Sequence, residues 1–98
     1  MNIKNMMKQA KKLQGEIEKK KEEINNKIFP GKYSFVELEI NGKKEMLKLK
    51  IEKDRLEKED IEILEDIIVV AFNQAAEKVD QELEKELGKY GQGMAGMF

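Results

Sequence analysis

The chain has 98 residues, which allows one domain and leaves no room for a second. Charged residues make up 40% of it, with 19 basic and 20 acidic side chains, and neither Cys nor His is present. These absences exclude disulfide frameworks, zinc–thiolate sites, cysteine nucleophiles and the histidine bases that enzymes use near neutral pH. No apolar run approaches the roughly 18–20 residues that span a bilayer, and no secretory signal is recognisable, so we expect a cytoplasmic protein.

The charge is distributed unevenly along the chain. Residues 1–32 carry nine Lys and four Glu, a net charge of +5, whereas residues 59–98 carry three Lys and ten acids, a net charge of −7. Such a division predicts a basic N-terminal arm attached to an acidic body.

The first predicted element is a helix over residues 2–26, ended by Asn25-Asn26. Apolar residues recur in it every three or four positions and form one stripe, which consists of Ile3, Met6, Met7, Ala10, Leu13, Ile17, Ile24 and Ile28. The opposite side is basic, with Lys4, Lys8, Lys12 and Lys19, and with Lys11 at its edge. Gly15 costs about 1 kcal/mol in a helix interior, which indicates a bend or a close contact there.

Alternating apolar residues over 33–41 and 44–52 predict two strands of a hairpin. They are joined at Asn41-Gly42, which favours a type I′ turn. Pro30-Gly31 is expected to be a break, and residues 27–29 are a candidate third strand. The outward face is predicted to place acids beside lysines, namely Glu37 and Glu39 beside Lys44, Lys48 and Lys50.

The second predicted helix starts after Asp54 as its cap and runs to about Leu87, before Gly88. Its residues 67–72 are apolar on nearly every side, and one small sheet can cover only one of those sides. The spare surface predicts a homodimer interface made by Ile67, Ile68, Val69, Val70 and Phe72. Residues 88–98 contain four Gly and are predicted to be a flexible Gly/Met-rich tail, so residues 1–87 form the single domain.

The sequence contains no constellation typical of catalysis, so we do not expect an enzyme, a cofactor or a small-molecule substrate. The hydroxyl groups of Tyr33, Ser34 and Tyr90 have no base at a recognisable spacing. Several acids on the second helix could hold a cation, but a solvated face explains them better than a metal site does; these are Glu62, Glu65, Asp66 and Asp80.

The basic side of the first helix has two interpretations. Its lysines either contact the phosphates of a polyanion or keep an amphipathic helix in solution, and the pattern alone favours the second. No aromatic residue interleaves with them and this helix contains no Arg, so any nucleic acid would be bound with little dependence on sequence.

Four residue strings, in this order, resemble the YbaB/EbfC family of bacterial nucleoid-associated proteins. They are residues 6–14 (MMKQAKKLQ), 36–43 (VELEINGK), 47–51 (LKLKI) and 64–75 (LEDIIVVAFNQA). The last is the most specific, because an acidic pair precedes an apolar run and an Asn. The Gly/Met-rich ending also fits the family.

The resemblance implies an α+β fold with a long N-terminal helix, a small antiparallel sheet built on a hairpin, and a long C-terminal helix. It also implies a tweezer-like homodimer that binds double-stranded DNA with little sequence preference at the nucleoid, for nucleoid organisation or gene regulation. The acidic second helix would repel DNA, so we expect the contacts on the first helix and the following loop, at Lys4, Lys8, Lys11, Lys12, Lys19, Lys27 and Lys32. The alternative is a helical protein-binding or chaperone-like dimer that uses the apolar stripe. The salt dependence of binding distinguishes the DNA-binding from the protein-binding interpretation, because only phosphate binding weakens steeply as the salt concentration rises.

Overall fold

The computed structural model describes residues 2–90 and has the predicted α+β architecture. Along the chain it contains helix α1 (Ile3–Asn25), strands β1 (Phe29–Tyr33), β2 (Val36–Ile40) and β3 (Met46–Ile51), helix α2 (Lys58–Leu87) and a short 3₁₀ helix (Gly88–Tyr90). The strands form one antiparallel sheet in the order β1-β2-β3. The flexible tail predicted from the sequence lies, from residue 91 onward, outside the described residues.

Helix α1 begins and ends within one residue of its prediction. The side chain of Asn2 caps it, because its Oδ1 accepts hydrogen bonds from the amides of Lys4 (3.1 Å) and Asn5 (3.4 Å). This satisfies two of the amides that a helix start leaves without a partner.

Strand β1 differs from its prediction, because Pro30 and Gly31 lie inside it instead of forming a break. Proline is tolerated since β1 is an edge strand, where one missing amide donor does not interrupt a ladder on both sides. Gly31 is required because α2 crosses β1 so closely that a Cβ at this position would overlap the carbonyl oxygen of Ala71. The candidate strand at residues 27–29 therefore overlaps the observed one only at Phe29.

The hairpin between β2 and β3 exists, but its predicted type I′ turn is wrong. The loop is longer, and Lys44 (φ 63°) takes the left-handed conformation that we expected at Asn41 and Gly42. The Asn41 side chain organises this loop, since its Oδ1 accepts hydrogen bonds from the amides of Lys43 (2.9 Å) and Glu45 (3.0 Å). Gly42 has a different role: a Cβ there would lie 2.7 Å from the Cα of Asn25, at the end of α1.

Helix α2 starts at Lys58 with Glu57 as its cap, so the prediction of Asp54 as cap is wrong. The Asp60 carboxylate closes this end, accepting a hydrogen bond from the Glu57 amide (3.0 Å) and pairing with Lys53 (2.8 Å). The Lys53 ammonium and the Glu57 amide hold the pKa of Asp60 below its ordinary value. The other end of the helix, Leu87, is as predicted.

The core lies between α2 and one face of the sheet. Strands β1 and β2, the turn between them and the end of α1 supply one side of it, with Ile24, Phe29, Phe35, Val36, Leu38 and Ile40. Helix α2 supplies the other side, with Ile67, Ala71, Ala75 and Val79. Strand β3 is exposed along its whole length, because α2 packs against β1 and β2.

The described chain is long and thin, measuring 71 × 20 × 14 Å. Helices α1 and α2 run antiparallel and overlap only near their C-terminal ends, where Lys20 and Lys27 pair with Glu86 and Glu82. Residues 3–15 of α1, called the arm below, are exposed at every position. Gly15 has open space around it, so the close contact considered for this position is not present in the described residues.

Candidate nucleic-acid interface

The arm carries a concentrated positive charge. It contains Lys4, Lys8, Lys11 and Lys12 and neither Asp nor Glu. All four lysines are exposed, and none has an ion-pair partner within residues 2–90. At 1.5 Å per residue, Lys4 and Lys12 are about 12 Å apart along the helix axis. The arm therefore offers several free ammonium groups to an anionic partner.

The base of the arm is fixed by an ion-pair network. Lys20 lies within the apolar stripe of α1 and faces α2, where its Nζ is 3.3 Å from Glu86 and 3.5 Å from Glu23. Lys89 also contacts Glu86, at 3.3 Å. The hydrogen bond from Lys20, followed by that from Lys89, lowers the pKa of Glu86, and the Glu86 carboxylate in turn raises the pKa of Lys20. The Lys20–Glu86 pair thus links α1 to α2 beside the buried Ile17 and Leu87.

The seven lysines predicted to contact DNA divide into two groups. Lys19 resembles the four arm lysines, since it is exposed and has no ion pair within the described part of the chain. Lys27 and Lys32 instead lie beside acids of their own chain, with Nζ 3.1 Å from Glu82 and 3.7 Å from Glu52. Five of the seven lysines therefore lie on α1 without an ion pair in the described residues. The other two, Lys27 and Lys32, are paired with acids.

The acidic half of α2 also engages cations of its own chain. Asp80 pairs with Lys44 at 3.0 Å, and the Lys78 ammonium donates to the Pro30 carbonyl oxygen at 2.7 Å. Exposed acids such as Glu77 and Glu84 add negative charge to this surface. This half of α2 is therefore an acidic surface, in contrast to the basic arm.

The outer face of the sheet is a ladder of opposite charges, as predicted. Glu37 lies opposite Lys50 and Glu39 lies opposite Lys48. Between residues 2 and 90, no group of three or more His, Cys, Asp or Glu side chains is arranged to hold a metal ion. The described helices include none that is long and apolar enough to cross a membrane.

The residues predicted for the dimer interface occupy three different environments. Ile67 is 4% exposed in the chain's own core, Ile68 and Phe72 are half-buried against that core, and Val69 and Val70 are exposed. Other exposed apolar side chains were not predicted to lie at an interface, and those on β3 belong to an alternating pattern that is typical of a strand with one buried face. They are Leu47, Leu49 and Ile51 on β3 and Ile61 and Ile63 on α2.

The chain is thus a small α+β domain with a basic helical arm, whose lysines have no ion pair within residues 2–90, and an exposed apolar strand. Comparison with known proteins gives the family. The sequence profile of the YbaB/EbfC DNA-binding family matches residues 1–94, and the chain belongs to this family.

Its relatives cover nearly the whole chain. It is 46% identical to a nucleoid-associated protein of Mycoplasmopsis pulmonis, across 89% of this chain and 90% of that protein. It is 41% identical to a nucleoid-associated protein of Clostridium novyi, across 100% and 90% of the two chains. A nucleoid-associated protein of Enterococcus faecalis is 38% identical, across 97% and 93%. The resemblance stated from the residue strings is thereby confirmed.

Proposed function

We propose that this protein binds double-stranded DNA through contacts between the arm lysines and backbone phosphates. The observation that carries the proposal is the arm itself, which has four exposed lysines, no acid and no ion pair within the described residues. Duplex DNA carries one negative charge per ~1.7 Å, and each neutralised phosphate releases a condensed counterion. The ammonium groups of the arm are free to make these contacts, because no carboxylate of the described chain has to be displaced first.

The side-chain chemistry of the arm favours binding with little sequence preference. Lysine is a compact point charge that contacts phosphates well, whereas arginine reads guanine edges with two hydrogen bonds. The arm contains no Arg and no aromatic residue. Neither base-edge recognition nor stacking on single-stranded bases is therefore expected from it.

A role at the bacterial nucleoid follows from the family. The relatives from Mycoplasmopsis, Clostridium and Enterococcus are named nucleoid-associated proteins. We place the present protein there too, in the cytoplasm, as a non-enzymatic component of nucleoid organisation or gene regulation.

The functional form in this proposal is a homodimer. Leu47 and Leu49 are 54% and 43% exposed, although they occupy the face of β3 that in β2 is buried. Val69 and Val70 add exposed apolar surface on α2, whereas Ile67 is left out because its own core already covers it. A second copy would bury this surface and would present two basic arms to one duplex.

Sedimentation equilibrium tests the dimer. Leu49→Lys is expected to shift the protein toward the monomer, because the charge would have to be buried in the interface. Ile28→Lys is a matched control, since Ile28 is an exposed apolar residue outside β3 and α2. Equal effects of both variants, or a monomeric wild type, would contradict the proposal.

Fluorescence anisotropy of a labelled duplex of about 30 base pairs, titrated at about 50 to 200 mM salt, tests DNA binding. We expect the logarithm of the affinity to fall linearly with the logarithm of the salt concentration, by about 0.9 per phosphate contact. Replacing Lys4, Lys8 and Lys12 with Gln should reduce this slope by about 2.7 for each bound arm, hence by about 5.4 when both arms of a dimer contact the duplex, and should lower the affinity at every salt concentration.

The matched control replaces Lys43, Lys58 and Lys85 with Gln, which changes the net charge equally but leaves the arm intact. Equal losses in the two triple variants would show that net charge, and not the arm, governs binding. An unrelated unlabelled duplex should compete about as well as the labelled sequence does.

A protein-binding function is the second candidate, because the apolar face of the arm is also exposed. Ile3, Met6, Met7 and Leu13 are 70%, 52%, 55% and 39% exposed. A partner helix docked on this face would bind almost independently of salt. Weak salt dependence together with lost binding in Leu13→Ser would favour this candidate over DNA.

A further inference from the structure

The arm is an amphipathic helix whose apolar side is open in the described chain. Four large apolar side chains of this side are 70%, 52%, 55% and 39% exposed; they are Ile3, Met6, Met7 and Leu13. The same stripe is buried further along α1, where Ile17 is 5% and Ile24 is 1% exposed. Within residues 2–90, the stripe is therefore covered beside α2 and uncovered along the arm.

A second exposed apolar patch, at the start of α2, differs from the arm in its charge. Ile61 and Ile63 there are 58% and 47% exposed. Residues 58–66 contain five acids and one Lys, whereas residues 3–15 contain four Lys and no acid. The arm therefore combines exposed apolar surface with positive charge, and the start of α2 combines it with negative charge.

The two sides of the arm are arranged as in helices that lie on the surface of a bilayer. At about 100° per residue, the large apolar side chains fall within an arc of about 120°, and Lys11 and Lys4 follow about 40° and 60° beyond its border at Met7. Lysine can bury its methylene stem along an apolar surface while its ammonium group stays among polar headgroups. Lys8 and Lys12 lie further round the helix, but the helix is about 10–12 Å across, which is close to the Debye length of about 10 Å at 0.1 M salt. All four ammonium groups are therefore within the range of a charged surface.

We infer that the arm binds the surface of an anionic lipid bilayer, with its apolar stripe inserted between the headgroups and its lysines beside their phosphates. Lipid and DNA phosphates share one chemistry, so the lysines alone do not distinguish the two partners. The stripe does distinguish them, because only the bilayer offers it an apolar environment. A helix of this kind lies in the plane of the surface at a depth of about 5–10 Å and does not cross the bilayer. Such binding does not depend on DNA binding.

Co-sedimentation of the full chain with lipid vesicles tests this binding. We expect the protein to bind vesicles of phosphatidylglycerol and phosphatidylcholine in equal parts, and to bind vesicles of phosphatidylcholine alone much more weakly. Each lysine near an anionic surface strengthens binding about fivefold, so Lys4→Gln and Lys11→Gln should each weaken it by about this factor. Lys43→Gln is the matched control outside the arm and should leave binding unchanged.

Replacement of apolar side chains separates insertion from charge attraction. Met6→Gln together with Leu13→Gln should weaken binding to the anionic vesicles more than about tenfold, because two buried apolar side chains are lost. Glutamine has nearly the same helix propensity as Met and Leu, so the arm stays helical, which far-ultraviolet circular dichroism checks. Ile61→Gln together with Ile63→Gln removes as many exposed apolar side chains from the acidic patch and should have no effect. Neither pair should change the affinity for duplex DNA.

Three results would overturn the inference. Failure of the wild type to bind either kind of vesicle would leave the apolar side of the arm to a protein partner. Equal vesicle binding by the wild type and the Met6–Leu13 double variant would show charge attraction without insertion. Equal losses in the two double variants would show that the arm is not the contact. The duplex titration is separate, so none of these results decides whether the protein binds DNA.

Discussion

The two halves of α1 carry the same amphipathic pattern but lie in different environments. Residues 17–25 bury Ile17 and Ile24 beside α2 and bond to the β2–β3 loop, where the Gly42 amide donates to the Asn25 carbonyl oxygen at 3.2 Å. Residues 3–15 are exposed at every position and expose both their apolar and their basic sides. An amphipathic stripe therefore indicates that a helix has an apolar face. It does not show which residues of that face are buried by another element.

The same contrast applies to charge. Lys20 and Lys27, in and beside the anchored half, pair with acids of α2, whereas Lys19 and the arm lysines have no ion pair within the described residues. A lysine that pairs with an acid of α2 is less available to a ligand than an unpaired lysine of the arm. The arm is therefore the part of α1 that we expect to bind a partner. Four changes test this comparison, of which the substitutions at Gly42 and Ile24 have the largest expected effects and acidification the smallest.

The same substitution, Gly→Ala, should have opposite effects in the two regions. At Gly42 a Cβ would overlap the Ile24 carbonyl oxygen and lie 2.7 Å from the Cα of Asn25, so we expect Gly42→Ala to lower the free energy of unfolding by about 3 kcal/mol. At Gly15 nothing lies within 4 Å, and Gly15→Ala should stabilise the helix by about 0.5–1 kcal/mol. Urea unfolding measures both, and destabilisation by Gly15→Ala would indicate a contact on the arm.

Truncation of the stripe should matter only where the stripe is covered. Ile24 is 1% exposed, and Ile24→Ala should cost about 2–5 kcal/mol through lost burial and a cavity. Leu13 is 39% exposed within residues 2–90, and Leu13→Ala should cost less than about 1 kcal/mol. Thermal unfolding of the two variants gives the difference, and equal costs would mean that the arm is packed in solution.

Removal of the cap should loosen the arm without affecting the core. Asn2→Ala deletes the acceptor for the amides of Lys4 and Asn5, a loss of about 1 kcal/mol for the first turn. Amide exchange in that turn should accelerate about fivefold, while exchange at Ile24 stays unchanged. Faster exchange at both places would contradict the independence of the two halves.

Acidification should weaken the contact between α1 and α2 at Lys20 and Glu86. This is the smallest of the four expected effects. Hydrogen bonds from Lys20 and then from Lys89 hold the pKa of Glu86 below its ordinary value of 4.5. A lowered carboxyl pKa stabilises the folded form above pH 4.5, and this stabilisation is lost as the pH falls through the lowered pKa. Amide shifts of residues 17–25 should therefore change in this range, and Lys20→Met should reduce that change.

Local patterns in the sequence were sufficient for the type of both helices, for the extent of α1 and for the end of α2, but not for the start of α2. Apolar spacing placed α1 and the end of α2 within one residue, and alternation placed β2 and β3 with their outward ladder of Glu37 and Glu39 against lysines. Two of the details that failed involve residues distant in sequence. Pro30 and Gly31 lie in a strand that α2 crosses closely, and Gly42, at the predicted turn, lies against the end of α1 while Lys44 takes the left-handed conformation.

The sequence by itself determined the basic arm, the helix–sheet–helix order and the family, because charge, periodicity and residue strings are local properties. Only the tertiary structure decided which lysines are free and which apolar residues remain exposed. Lys27 pairs with Glu82, which lies 55 residues further along the chain, and Lys32 pairs with Glu52, 20 residues further along. Ile67 is buried while Leu49 is not, because one helix of fixed width covers two strands and leaves the third open.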